Sequence, residues 1–476
     1  MEKKREFFSM GPVTKFVGVL VVLMTTGAIP AFASAAGSGG FLPPVWTVIP
    51  FVGILLSIAL FPLINPHMWE HNFGKVSAFW LVLAIVLMVI SVPAETSFAE
   101  AFGPKFFSTG EEYVSFIILL GSLFIISGGI YISGDLNGTP LVNSAIIFIG
   151  SLLASVIGTT GAAMLLIRPL ITANRNRKNQ AHVVLFFIFL VCNIGGALTP
   201  IGDPPLFLGF LQGIPFTWTL ALTPMWFFAI MVVLTIFFFL DRYLMDAGAT
   251  HSSDMPKIKI EGGINFVLLL GVVGSVIMSG VLHFETVIPV GDLGAFHIPN
   301  LLRDGIMIVL ALISLKITSE SVRKSNNFNY HPILEVAYLF IGIFTTMIPA
   351  LMLLNARGGE LGLTSPAAYF WVTGILSSFL DNAPTYLTFL ATAMGSLGLE
   401  HAIEMTQTVE REAILLGISA GAVFMGANTY IGNGPNFMVK AIAEGEGIKM
   451  PSFFGYLLYS VVVLFPVFIL ITFIFF

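Results

Sequence analysis

Long apolar stretches separated by short polar segments follow one another along the chain from residue 44 onwards. Many of them reach the roughly 20 residues that an α-helix needs to cross the hydrocarbon core of a bilayer. In the first half, the pattern predicts three spans, a re-entrant hairpin, a span broken by glycine and proline, and a final span. In that order, the predicted segments are 44–64, 76–93, 112–132, 141–173, 182–213 and 218–240.

The second half repeats this order of segments after a polar loop. Its predicted segments are 264–283, 301–315, 332–355, 366–397, 412–443 and 453–474. When the spans alternate in direction and both hairpins return to their own side, the second half runs opposite to the first. The chain is therefore predicted to be an all-α polytopic membrane protein. It is expected to contain two inverted repeats, each with three spans, a re-entrant hairpin, a broken helix and a final span.

Four regions follow from this layout. The first resembles a secretory signal peptide, because Lys3, Lys4 and Arg5 precede an apolar stretch and Ala31-Phe32-Ala33 fits a small-x-small cleavage site. The alternative is an uncleaved first helix, and in either case the next segment is expected to begin outside the cytoplasm. The regions are a signal-peptide-like segment (1–36), a first inverted repeat (37–240), a cytoplasmic linker (241–263) and a second inverted repeat (264–476).

The composition supports a membrane protein and excludes several other classes. Hydrophobic residues make up 56% of the chain and charged residues only 10%, whereas a soluble domain has about 25% charged residues. The apolar stretches are continuous and do not alternate, which excludes a transmembrane β-barrel. The net charge of −5 gives no indication of a nucleic-acid partner, and the single cysteine, Cys192, excludes an internal disulfide. No phosphate-binding glycine-rich loop is present, which argues against a pump with its own ATPase domain.

The positions of the basic residues test the proposed layout independently. Apart from the first 15 residues, 13 Lys and Arg residues lie on the proposed cytoplasmic side and four on the proposed outer side. Such an excess is typical of cytoplasmic loops. Without the two hairpins the basic loops would scatter over both sides, so the charge bias favours hairpins that enter from opposite faces. The expected location is the cell (inner) membrane, with the lipid bilayer as a partner.

A ten-residue motif occurs twice within apolar sequence. Residues 196–205 read GALTPIGDPP and residues 426–435 read GANTYIGNGP, with six identical positions and Asp203 matched to Asn433. Glycine and proline at this density break a helix, and a broken helix in a membrane is tolerated where it lines a cavity. Matched breaks in two halves of a chain indicate the substrate site of a secondary transporter.

Two carboxylates fall among these helix breakers. Asp203 lies in the first break, and Asp381 lies at the predicted tip of the second hairpin. A carboxylate within the membrane is energetically costly and usually marks a functional site. Oxygen ligands suit a hard cation such as Na⁺. A carboxylate that holds either a cation or a proton is the simplest ion-exchange device. Further oxygen atoms are available from Asn193, Thr199, Asn428, Thr429, Asn433, Asn436, Ser378 and Thr385.

Each of these residues also has a purely structural interpretation. Asp203 and Asp381 are both compatible with helix caps, and Asn428 and Asn433 with partners for freed backbone groups. Thr159 and Thr160 are compatible with caps for the first hairpin turn. An intramembrane aspartyl protease also needs two membrane aspartates, but position 200 is proline where its Gly-x-Gly-Asp motif has glycine. We therefore expect no enzymatic activity, and a purely structural protein would have no use for two polar helix breaks.

At these residues the chain resembles the ion transporter superfamily, and most closely its NhaD-type sodium/proton antiporters. The resemblance rests on residues 193–203 (NIGGALTPIGD) and 378–382 (SFLDN) and covers nearly the whole mature chain. It implies a homodimer in which each protomer moves a transport domain past a scaffold, with no cofactor and with Na⁺ and H⁺ as the transported ions. It also implies a sodium-site role for Asp203, Asp381, Asn193 and Asn382.

The chain departs from the motifs of the superfamily in several places. The first hairpin reads Gly158-Thr159-Thr160-Gly161 and lacks the acids that such antiporters carry, and Pro204-Pro205 follow Asp203. The Ser-Asn-Thr hairpin signature of dicarboxylate carriers is also missing. The sequence also resembles members of the superfamily that are labelled citrate transporters. The alternative function is therefore cation-coupled transport of citrate or another organic anion, or export of an oxyanion, with Thr159, Thr160, Thr199 and Thr429 near the anion.

Overall fold

Each apolar segment predicted for the first half contains at least one helix. The computed structural model describes residues 41–134, 136–245, 259–281 and 287–476. The predicted signal-peptide-like segment (1–36) lies outside these residues, as does most of the predicted linker. The helices of the first half are α1 (Ile49–Ile64), α2 (Pro66–Ser91), α3 (Phe98–Ser127), α4 (Pro140–Ile157), α5 (Thr159–Asn174), α6 (Ala181–Leu190), α7 (Pro204–Leu211) and α8 (Thr223–Tyr243).

The helices of the second half follow the same order, with one short helix added before the third. They are α9 (Ile264–Val281), α10 (Ile298–Ile317), α11 (Glu320–Ser325), α12 (His331–Arg357), α13 (Pro366–Ser377), α14 (Asn382–Leu397), α15 (Val409–Met425), α16 (Gly434–Gly445) and α17 (Phe453–Phe475). The predicted hairpins correspond to α4–α5 and α13–α14, and the predicted broken spans to α6–α7 and α15–α16. Short 3₁₀ turns lie within the two breaks, at Ile194–Leu198 and Gly426–Asn428.

These helices confirm the prediction of an all-α polytopic membrane protein. Within the described residues, ten helical segments are long and apolar enough to cross a membrane. The first arm of the first hairpin, α4, is one of them. The first arm of the second hairpin, α13, has 12 residues and is therefore about 18 Å long, well short of a hydrocarbon core of about 30 Å. Its length supports a re-entrant hairpin in the second half.

The third predicted span, 112–132, was placed wrongly. Its helix α3 begins at Phe98 and ends at Ser127, and Tyr131–Ser133 forms a short strand, β1. This strand pairs antiparallel with β2 (Lys259–Glu261). A second pair joins β3 (Val287–Pro289) to β4 (Ala295–His297). Hydropathy missed the first part of α3 because that part is amphipathic and interrupted by Gly103 and Pro104.

Within one compact unit, the described helices can be divided into two groups. A six-helix group contains α1, α2, α3, α9, α10 and α12, and a ten-helix group contains the hairpins, the broken helices, α8 and α17. The groups meet where α12 packs against α14, and where α3 packs against α5 and α7. The ten-helix group contains all the candidate site residues.

A buried ion cluster joins helix ends within the ten-helix group. The Asp241 carboxylate, at the end of α8, accepts from Nη2 of Arg177 at 2.5 Å, from Nε2 of His182 at 2.7 Å and from Nδ2 of Asn143 at 2.9 Å. The partners lie near the beginning of α4, after α5 and near the beginning of α6. Because its members come from different elements, this cluster holds the first hairpin and the first broken helix against α8. Removing one charged partner would leave an uncompensated buried charge, which is strongly destabilising.

Candidate functional site

Asp203 is the central residue of the candidate site. It directly precedes α7, which begins with two prolines, as the first turn of a helix allows. Its side chain makes no capping hydrogen bond to that helix. The carboxylate instead accepts from Thr159 Oγ1 at 3.0 Å and Asn433 Nδ2 at 3.1 Å on one oxygen, and from Asn382 Nδ2 at 2.6 Å on the other. The structure therefore contradicts a helix-cap role for Asp203.

The three donors come from three different elements and are all neutral. Thr159 begins α5 in the first hairpin, Asn382 begins α14 in the second hairpin, and Asn433 precedes α16 in the second break. Asp203 is 1% exposed. Among the ion pairs of the described residues, none involves Asp203. A carboxylate buried without a positive partner is costly when ionised, so a proton or a bound cation would stabilise it.

Three buried amide oxygens in the same region lack a hydrogen-bond donor within the described part of the chain. They are the Oδ1 atoms of Asn193, Asn382 and Asn428. In each case the amide nitrogen of the same side chain is bonded: Asn193 to Asn436, Asn382 to Asp203, and Asn428 to Ser378. Buried acceptors are normally satisfied, and unpartnered ones call for an explanation such as an ion. Carboxylate and amide oxygens are the ligands of hard cations.

The hairpin tips are bound to the breaks by a duplicated set of hydrogen bonds. Thr199 Oγ1 donates to the Ser155 carbonyl in the first half, and Thr429 Oγ1 donates to the Ser378 carbonyl in the second. Ser155 Oγ then donates to the Gly195 carbonyl at 2.6 Å, and Ser378 Oγ to the Met425 carbonyl at 3.1 Å. Each hairpin is therefore fixed to the break of its own repeat in the same way.

Glycine is required inside both breaks because the backbone folds back on itself there. A Cβ atom on Gly202 would overlap the carbonyl oxygen of Gly196, and a Cβ atom on Gly432 would meet the carbonyl oxygen of Gly426 at 2.5 Å. No side chain fits at such a distance. These glycines occupy matched positions of the duplicated motif, so the motif repeats because the same tight backbone loop is built twice.

Asp381 is placed differently from Asp203. It is half-buried and precedes α14, where its Oδ1 accepts from the backbone N–H of Ala383 at 3.0 Å. Asp381 is thus a helix cap, which was the structural interpretation of this residue. Its carboxylate nevertheless lies close enough to interact electrostatically with Asp203.

The structure connects some of the predicted residues directly to Asp203 and others only to the hairpins and breaks around it. Asp203 is directly hydrogen-bonded to Asn382 and Asn433. The other predicted residues bond within the hairpins and breaks: Asn428 and Thr429 to Ser378, Thr199 to Ser155 and Asn193 to Asn436. Thr160 is half-buried and forms no hydrogen bond to Asp203, whereas its neighbour Thr159 does. The sequence analysis also missed Ser155, which holds the first hairpin to its break. Ser155 and Ser378 each lie three residues before a hairpin turn, and this match was the signal in the sequence that could have identified Ser155.

Comparisons with known proteins identify a matching family. A family model described as "Putative citrate transport" matches residues 42–476, which include both hairpins and both breaks. No curated protein matches the sequence.

Proposed function

We propose that this chain, which belongs to the citrate-transport family, is a secondary transporter in which Asp203 binds Na⁺ and H⁺ in turn. The proposal goes beyond the family, whose description indicates a membrane transporter of the citrate-transporter type. One observation carries it: the buried Asp203 carboxylate is held only by neutral donors, and one of these donors, the Asn382 amide, has an unpartnered oxygen. This arrangement suits a small cation or a proton.

The exchange would follow because Na⁺ and H⁺ compete for the Asp203 carboxylate. With Na⁺ bound, the Asp203 carboxylate and nearby amide oxygens replace the water ligands of the ion. With H⁺ bound, the carboxyl group is neutral and its O–H becomes a donor. The unpartnered Oδ1 of Asn382 belongs to the same amide that donates to Asp203, so an acceptor lies beside the site. Because the two ligands exclude each other, inward proton flow would drive Na⁺ out of the cell.

The remaining parts of the proposal rest on the family resemblance. We expect a homodimer in the cell membrane, with the ten-helix group moving as a transport domain past the six-helix group. The exchange needs no cofactor, because proton and cation binding by a carboxylate is sufficient chemistry for it.

Cation-coupled transport of citrate is the second candidate. The family description favours it, and so does a structural observation: four helices, α5, α7, α14 and α16, begin at the candidate site. Helix N-termini attract anions. In this alternative, Asp203 would hold the coupling cation and the helix ends would face the carboxylates of the substrate.

Proton flux in proteoliposomes tests both candidates. We expect NaCl to collapse an imposed pH gradient in the wild type, and Asp203→Asn to abolish the response because an amide does not exchange a proton as a carboxylate does. Asp381→Asn is expected to weaken the response without abolishing it, since Asn can also cap a helix. KCl serves as a salt control and LiCl as a cation of similar chemistry.

Two outcomes would contradict Na⁺/H⁺ exchange. A response to sodium citrate but not to NaCl would make the protein an anion carrier. Full exchange by Asp203→Asn, at wild-type protein content in the liposomes, would remove Asp203 from the mechanism.

A further inference from the structure

Asp203 and Asn433 occupy the same position in the two repeats. Each is the eighth residue of the duplicated motif, and each directly precedes the second helix of its break, with no capping hydrogen bond from its side chain. Asn433 Nδ2 donates to Asp203 Oδ1 at 3.1 Å. Two equivalent residues in direct contact lie at the centre between the repeats. A ligand bound there meets one carboxylate and one amide.

The other hydrogen-bonding positions around this centre are also paired. Thr159 and Asn382 begin the second arms of the two hairpins, and each donates to a different oxygen of Asp203. Thr199 and Thr429, with Ser155 and Ser378, repeat the same bonds in both halves. At the contact between Asp203 and Asn433, the two repeats differ in charge, because the first has a carboxylate and the second an amide.

We propose that Asn433 is the specificity-determining residue of the site, because it leaves Asp203 as the one carboxylate in the contact between the repeats and so matches that contact to a monovalent cation. This inference rests on the proposed cation exchange at Asp203 and deepens it. One carboxylate is neutralised by one Na⁺ or one H⁺, which makes the two ligands interchangeable. Ca²⁺ is typically held by 6–8 oxygen ligands that include several carboxylates.

Two other titratable side chains lie near Asp203, and neither is hydrogen-bonded to Asp203 or Asn433. Asp381 is a second carboxylate that acts electrostatically on Asp203 from outside the Asp203–Asn433 contact, and its Oδ1 accepts from the N–H of Ala383. Cys192 is buried, and its backbone carbonyl accepts from Asn433 Nδ2 at 2.9 Å. That second bond fixes the orientation of the Asn433 amide, with its nitrogen toward both oxygens. A neutral donor is thereby held in the place where the first repeat has its carboxylate.

The test exchanges the two residues. Asp203→Asn alone should abolish Na⁺-driven proton flux, and this variant tests the proposed function. The double variant Asp203→Asn/Asn433→Asp places the carboxylate in the second repeat, where the amide introduced at position 203 can donate to it. It should recover at least about a tenth of wild-type flux, because the centre again has one charge.

Asn433→Asp alone creates two adjacent carboxylates and should give a CaCl₂-driven flux that the wild type lacks.

Asn433→Ala is the matched control, since it removes the hydrogen bond without adding charge. It should raise the KM for Na⁺ about tenfold, the loss expected for one charge-assisted hydrogen bond, and should give no response to CaCl₂. Thermal unfolding in detergent is measured for every variant. If the double variant does not fold, the CaCl₂ response of Asn433→Asp decides the question.

The outcomes separate the two proposals. An active Asp203→Asn contradicts the exchange mechanism itself. An inactive Asp203→Asn with a folded but inactive double variant, or an Asn433→Asp that keeps wild-type preference for Na⁺ over Ca²⁺, contradicts only the role of Asn433.

Discussion

Thr159 and Thr160 differ in position although they are adjacent in sequence. Both lie in the first turn of α5, where consecutive side chains point about 100° apart around the helix axis. Only the Thr159 hydroxyl reaches Asp203, and Thr159 is 2% exposed. The backbone N–H of Thr159 also donates to the Gly202 carbonyl at 2.8 Å, which fixes the start of α5 against the first break.

Thr159→Val is therefore expected to weaken ion binding, and Thr160→Val is its matched control. Valine has nearly the shape of threonine but no hydroxyl, so Thr159→Val removes one hydrogen bond to a charged group. This should raise the KM for Na⁺ by about tenfold, whereas Thr160→Val should stay within about twofold of the wild type. Sodium titrations of proton flux in proteoliposomes measure both. Equal effects of the two substitutions would remove Thr159 from the site.

The sequence predicted the residues of the site better than their connections. The duplicated motif identified Asp203 and Asn433, because glycine and proline mark a helix break in any membrane protein. It could not show that the two residues touch each other, since this contact depends on how the two repeats pack. For the same reason the choice between Thr159 and Thr160 needed the orientation of α5, which a short polar stretch does not specify.

The second break is held by the helices around it. All four backbone carbonyls from Gly426 to Thr429 accept side-chain hydrogen bonds. Asn436 Nδ2 donates to Gly426 and Thr429, both at 2.9 Å, Tyr456 Oη to Ala427 at 2.7 Å, and Ser460 Oγ to Asn428 at 2.8 Å. These carbonyls are occupied, so we expect the second break to contribute side chains, not backbone oxygens, to ion binding.

Tyr456→Phe tests this support. The phenylalanine ring keeps the packing of α17 but frees the Ala427 carbonyl, at a cost of about 1 kcal/mol. We expect a lower thermal unfolding temperature in detergent and a KM for Na⁺ raised about fivefold, because the break positions Asn428 and Asn433. Tyr459→Phe is the control, since Tyr459 is 43% exposed on the same helix. An unchanged KM and stability in Tyr456→Phe would contradict the supporting role.

The order of the elements could be predicted because each has a distinct sequence signature. Continuous apolar runs gave the spans, and glycine with proline gave the breaks. The strands β1 and β2 were not predicted, since three-residue strands have too little sequence to show a period of two. The amphipathic start of α3 was missed because Glu100 and Lys105 lowered its hydropathy below that of a span.

At the scale of the whole molecule, few polar contacts join the six-helix group to α7, the second arm of the first broken helix. Gln212, directly after α7, donates from Nε2 to Glu112 Oε1 of α3 at 2.9 Å. Arg303 of α10 lies over the Phe207 ring of α7, 5.8 Å from its centroid. If the ten-helix group moves during transport, these contacts have to break.

Cross-linking tests that motion. In a Cys192→Ala background, Glu112→Cys/Gln212→Cys is bridged by a short bifunctional thiol reagent across the two groups. Proton flux should fall at least about tenfold and return when the bridge is cleaved. Glu111→Cys/Asn300→Cys is the control, because Asn300 donates to Glu111 at 3.4 Å within the six-helix group. Undiminished flux through a fully bridged Glu112–Gln212 pair would contradict movement between the groups.

The site around Asp203 also constrains how the protein is made. Of its three donors, Thr159 alone belongs to the first half of the chain, and Asn433 lies 230 residues after Asp203. At about 5–20 residues per second, roughly 12 to 46 s of synthesis separate the two residues. During that interval the newly inserted first half holds a carboxylate that lacks two of its partners. Protonation is the simplest way for the nascent chain to keep Asp203 in the membrane until the second half arrives.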